Sequence, residues 1–100
     1  MSEELRSRTT EFALRVIRLY ASLPRSVEAQ VIGKQLLRSG TSIGAHYREA
    51  HFAKSNPDLI SKLEGALQEL EESAYWLELF ERAGIVPAGK LASLRGEQVS

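Results

Sequence analysis

Proline stands at only three positions, 24, 57 and 87, and divides the 100-residue chain into four stretches. A proline lacks the backbone donor and clashes with the preceding turn, so each marks a place where regular structure stops or starts. Between the prolines no stretch shows the apolar–polar alternation of a strand. Apolar residues recur three and four apart instead, the period of an amphipathic helix. Few architectures fit four such stretches. The expectation is an all-α chain, an antiparallel up-down four-helix bundle forming a single domain over residues 1–100.

The helices are expected at about 9–23, 26–54, 57–83 and 87–96. In the first, Phe12, Val16, Leu19 and Leu23 form one stripe, and Thr9 or Thr10 can cap the free amides of the first turn. In the second, Ser26 is the expected N-cap, and Ile32, Leu36, Ile43, Tyr47 and Ala50 lie on one broad face. The run Ser-Gly-Thr-Ser at 39–42 could end one helix and cap another. The apolar face keeps its phase through that run, however, and Ser and Thr can bond back to carbonyls one turn earlier. One long helix, bent there, is the expectation. The third helix has a sharp start: Ser55 or Asn56 caps, Pro57 takes the first helical position and Asp58 sits near the positive end. Its stripe is Leu59, Leu63, Ala66, Leu67, Leu70, Ala74 and Leu77, and Gly84 suits the position just past its end. The fourth helix is expected to be short and to carry Leu91 and Leu94.

Composition narrows the function. The chain has no cysteine, so disulfides, thiol nucleophiles and thiolate metal sites are excluded. Formal net charge is zero, so the chain as a whole is no polycation. The charge is unevenly spread: residues 1–54 carry nine Lys/Arg and five acids, and residues 55–81 one Lys and seven acids. Attraction between antiparallel helices is the simplest use for that asymmetry. No apolar run approaches the roughly 20 residues that span a membrane. The first residues, Met-Ser-Glu-Glu-Leu-Arg, lack the apolar core of a signal peptide, and a cytoplasmic location is expected.

No catalytic, metal or cofactor site is expected. There is no nucleophile elbow, P-loop or dinucleotide fingerprint. His46 and His51 are five apart and project to different sides of a helix, so they cannot share a metal. Two other features carry more information. Gly33, Gly40 and Gly44 fall on one narrow strip of the second helix, where a neighbouring backbone can come close. Large apolar residues also lie off the core stripes: Trp76 and Leu79 share a side with Gly65, Glu69 and Glu72, while Val27 and Val31 lie opposite Ile32 and Leu36. A small bundle has one interior, so a second apolar face points to contact with another chain.

Two segments resemble a known family. Arg-Ser-Gly-Thr-Ser-Ile-Gly-Ala-His-Tyr-Arg-Glu-Ala at 38–50 is followed, after Ser-Asn-Pro-Asp, by the acidic helix ending in Glu-Ser-Ala-Tyr-Trp-Leu at 72–77. These are similar to the 23S ribosomal RNA intervening-sequence proteins, often called simply four-helix bundle proteins. The matching positions are Ser42, Ile43, Gly44, Tyr47, Glu49 and Ala50, then Glu72, Tyr75, Trp76 and Leu77. His46 stands where the family commonly has Asn. The resemblance implies a bundle that assembles into a ring-shaped homopentamer. It also relates the chain to accessory proteins of diversity-generating retroelements, which bind a reverse transcriptase and nucleic acid and are strongly basic, unlike this chain.

The expected function is therefore a non-enzymatic, self-assembling scaffold for a macromolecular partner. Val27, Val31, Gly65, Trp76 and Leu79 are the expected oligomer interface. Tyr47, Glu49, Glu72 and Tyr75 are the expected polar network near it. The alternative is an RNA- or DNA-binding accessory protein using Arg6, Arg8, Arg15, Arg18, Arg25, Lys34 and Arg38, which ring symmetry would gather into a basic band.

Overall fold

A computed structural model describes residues 2–87 and 89–91. Three helices follow one another, α1 (Glu3–Ala21), α2 (Val27–His51) and α3 (Asn56–Arg82), and helical backbone resumes at 89–91. No strand occurs among the described residues. The rest of the fourth helix expected at 87–96, with Leu94, lies outside them.

Helix α1 begins at Glu3, not near Thr9. Ser2 is its cap: the Ser2 hydroxyl accepts from the Leu5 amide at 3.2 Å, and Glu3 and Glu4 in the first turn suit the positive helix end. Thr9 and Thr10 instead donate their hydroxyls to the Arg6 carbonyl. Helix α2 is unbroken through 39–42, because Ser39, Thr41 and Ser42 return their hydroxyls to the carbonyls of Leu36, Leu37 and Arg38. It stops at His51, short of the expected 54, with Phe52 as its C-cap. Helix α3 opens with the Ser55 hydroxyl on the Asp58 amide, while the Asp58 carboxylate accepts from the Lys54 amide. It closes at Gly84, whose φ of 69° lets the Gly84 and Ile85 amides reach the carbonyls of Glu81 and Phe80.

Helix α2 is central. Helices α1 and α3 each pack antiparallel on it and make no close backbone approach to one another. The glycine strip faces α1. A Cβ at Gly33 would lie 2.5 Å from Leu23 and 3.0 Å from Tyr20, one at Gly40 3.0 Å from Val16, and one at Gly44 3.3 Å from Thr9. The close approach read from the sequence is thus an approach of α1 within the same chain. At the far end the Tyr47 hydroxyl accepts from the Ser2 amide at 2.7 Å and donates to the Ser2 carbonyl at 3.1 Å, fixing the first turn of α1 to α2.

The core joins Phe12, Val16, Leu19 and Leu23 of the α1 stripe to Leu36 and Ile43 of α2, Leu77 and Phe80 of α3, and Val86 and Leu91 beyond it. Burying each such side chain stabilises the fold by roughly 1.5–3 kcal/mol. The α3 stripe departs from expectation. Leu67 is 62% exposed, and Leu63, Ala66, Leu67 and Leu70 line an open apolar groove of about 370 Å³ facing Leu5 and Phe12 of α1. The spacing placed these residues on one face correctly. That face looks across a gap, because α1 and α3 are held apart by α2.

Gly40 tests the packing. Val16 is fully buried and β-branched, with little freedom to move aside. Gly40→Val is expected to cost about 2 kcal/mol in a urea unfolding titration. Ala45→Val, on the exposed side of the same helix, is expected to cost under about 0.7 kcal/mol.

Candidate functional site

The α2–α3 seam is built around a buried hydroxyl pair. Ser73 donates to Ser39 at 2.9 Å, and Ser39 donates to the Leu36 carbonyl at 3.4 Å. Both serines are fully buried. Small side chains bring the helices together here, and each hydroxyl places its proton on an acceptor.

Just outside this pair, Arg38 reaches across to two carboxylates. One guanidinium nitrogen donates to both oxygens of Glu69, at 3.2 and 3.3 Å, and the other to Glu72. Glu72 also accepts from the Trp76 indole N–H at 3.1 Å, and the Tyr75 ring packs against Trp76 with centroids 5.1 Å apart. One cation thus orders two acids, and one of those acids holds the indole. Continuing the register set by Arg38 with Glu72 brings Val31 level with Leu79. Val27 is 77% exposed, Val31 57% and Tyr75 53%, while Trp76 and Leu79 are half-buried. The outer face of α2 and α3 therefore carries apolar residues around a charged clamp.

The remaining candidates fall elsewhere. Gly65 lies under the His46 ring of the same chain, where a Cβ would come within 3.1 Å, so it serves the α2–α3 seam. His46 Nδ1 is buried there without a hydrogen-bond partner among the described residues. Tyr47 belongs to the α1 side with Ser2, and Glu49 pairs with Lys62 at 3.4 Å. Tyr47, Glu49, Glu72 and Tyr75 consequently do not make one network; only Glu72 and Tyr75 meet, through Trp76. Of the basic residues, Arg38 is committed to Glu69 and Glu72, and Arg15 is engaged in an interaction of its own. Arg18, Arg25 and Lys34 are exposed at the opposite end of the molecule from Tyr47 and Ser2. Sequence reasoning missed the Arg38 clamp and the serine pair. Antiparallel pairing of α2 with α3 was the available signal, since it sets the basic helix face against the acidic one.

The description 23S rRNA-intervening sequence protein fits the chain over residues 3–99. The chain belongs to that family. Its fold also matches a crystal structure from Bacteroides thetaiotaomicron VPI-5482, that of a protein with unknown function from the S23 ribosomal protein family. The two are 41% identical with a TM-score of 0.88, over 94% of this chain and 87% of that one. A search of curated proteins finds no match. In this intervening-sequence protein no group of three His, Asp or Glu side chains gathers at a metal-binding distance among the described residues. Nor is any described helix long and apolar enough to cross a membrane.

The serine pair yields a direct expectation. Ser73→Ala and Ser39→Ala should each cost about 1 kcal/mol, and the double variant should cost less than their sum. Chemical denaturation at one fixed protein concentration measures this, and strict additivity would show that the two hydroxyls do not interact.

Proposed function

We propose that this intervening-sequence protein acts without catalysis, as a self-assembling helical scaffold that presents a surface to a macromolecular partner. Its working form in this reading is a ring-like homopentamer of up-down four-helix bundles in the cytoplasm. Helical backbone resumes at 89–91, where Leu91 is already buried in the core. The observation that carries the reading is the outer α2–α3 face. Val27 and Val31 expose most of their apolar surface beside Trp76 and Leu79, whereas the core needs neither valine. A soluble monomer gains nothing from holding these residues in water, and a neighbouring copy would bury them.

The Arg38 clamp gives this face its specificity. It fixes Trp76 through Glu72 in one orientation, so a partner meets a rigid aromatic anchor rather than a mobile one. Family membership supports the same reading, because the resemblance implies pentameric assembly. The basic-band alternative gains no support from Arg38, whose charge is already met by two carboxylates.

Light scattering on a sizing column should give a mass near five chains for the wild type. Trp76→Ala should shift that mass toward one chain while the helical circular dichroism is retained. A wild-type mass of one chain, or a Trp76→Ala assembly of unchanged mass, contradicts the proposal.

A further inference from the structure

The first turn of α1 and the last turn of α2 enclose a cleft of about 290 Å³ that neither the core nor the α2–α3 face uses. Its walls include Arg6, Arg48, His51 and Phe52, with Glu3 at one side. A contiguous cleft shares Glu3, Arg6 and Arg48 and runs on toward Thr10 and Glu11.

Two properties set it apart. The first is its charge. Most arginines in this fold with a partner have a carboxylate: Arg38 has Glu69 and Glu72, Arg8 has Glu4, and Arg82 has Glu78. Arg48 is held by a neutral group, the Thr10 hydroxyl at 3.1 Å, whose own proton goes to the Arg6 carbonyl. Neither Arg6 nor Arg48 forms an ion pair among the described residues, so both guanidinium groups stay available to an anion, although Glu3 and Glu11 line the same continuous cleft. The second is Phe52. At 78% it is the most exposed large apolar side chain described, and it stands at the lip of the cleft. The His51 ring meets it edge-on, with centroids 5.1 Å apart at 88°, which leaves an L-shaped aromatic corner beside the guanidinium groups.

A planar ring that carries an anionic group satisfies both properties together. The anion takes Arg6 and Arg48, and the ring stacks on Phe52. We propose that this cleft binds a nucleotide unit of single-stranded nucleic acid, with a phosphate on Arg6 and Arg48 and a base on Phe52. The site is complete within one chain and does not depend on assembly. It shares only Arg6 with the basic band expected from sequence, lies at the opposite end of the molecule from Arg18, Arg25 and Lys34, and adds an aromatic platform.

Fluorescence anisotropy with a labelled ten-nucleotide oligoribonucleotide tests it, with adenosine monophosphate as competitor and light scattering run on each variant. Phe52→Ala should weaken binding about tenfold, through the lost stack. Arg48→Ala should weaken it and make the salt dependence shallower by about 0.7 in slope. The Arg25→Ala/Lys34→Ala variant should do neither. Competition by adenosine monophosphate at a matching affinity would assign the site to free nucleotides, and its failure to compete would assign it to a strand. No binding of either probe overturns the proposal. So does binding that Phe52→Ala leaves unchanged, or that Arg25→Ala/Lys34→Ala weakens equally. Because Arg48 and Phe52 are exposed, both variants should keep the wild-type mass, which separates failure here from failure of the assembly reading.

Discussion

How closely other helices can approach α2 is the constraint from which the rest of this fold follows. Toward α1 it presents Gly33, Gly40 and Gly44, and toward α3 it presents Ser39, so its two neighbours meet it on two sides with almost no side-chain bulk between them. Glycine in a helix interior costs up to about 1 kcal/mol relative to alanine. Here that cost is offset by seating Val16, Leu23 and Tyr20 directly on the α2 backbone. The same approach brings Tyr47 within reach of Ser2 and Arg38 within reach of Glu69 and Glu72. A thicker α2 would loosen the core and both polar clamps at once.

With α2 in the middle, the uneven charge along the chain has a structural use. The basic surplus before residue 54 and the acidic surplus after it meet across the α2–α3 seam, in the pairs Arg38 with Glu69 and Glu72 and Glu49 with Lys62. Partly exposed pairs of this kind add little stability singly. Their larger effect is on register and on Trp76. The basic groups left over at the α1 start and α2 end, Arg6 and Arg48, have no acidic helix opposite them. A neutral chain can therefore hold a cleft in which two guanidinium groups have no carboxylate bound to them among the described residues.

Much of the fold was legible in the sequence. The α1 stripe is buried as its period implies, and Ser26, Ser55 and Gly84 occupy the end positions their chemistry suits. The α1 start was misplaced because Thr9 and Thr10 resemble caps, whereas Ser2 with two acids behind it is the stronger signal. Leu67 was placed in the core because periodicity reports a shared face and says nothing about what stands across from it. The candidate surface was only partly legible. Val27 and Val31 could be set apart by phase, but the Arg38 clamp and the corner of His51 and Phe52 depend on which helices pair and where α2 ends. The glycine strip was seen as a set of close-contact positions, whereas Gly65, expected at an oligomer interface, packs under the His46 ring of the same chain. A single sequence does not say that both contacts are internal.

Native-state hydrogen exchange, followed at one fixed protein concentration, tests the central role of α2 most directly. Amides from Gly33 to Tyr47 are packed on both sides, so they should exchange only through global unfolding, with the free energy found by denaturant titration. The outer turns of α1 and α3 should open at lower free energy. Exchange of the α2 centre through openings smaller than those of α1 or α3 would contradict the account.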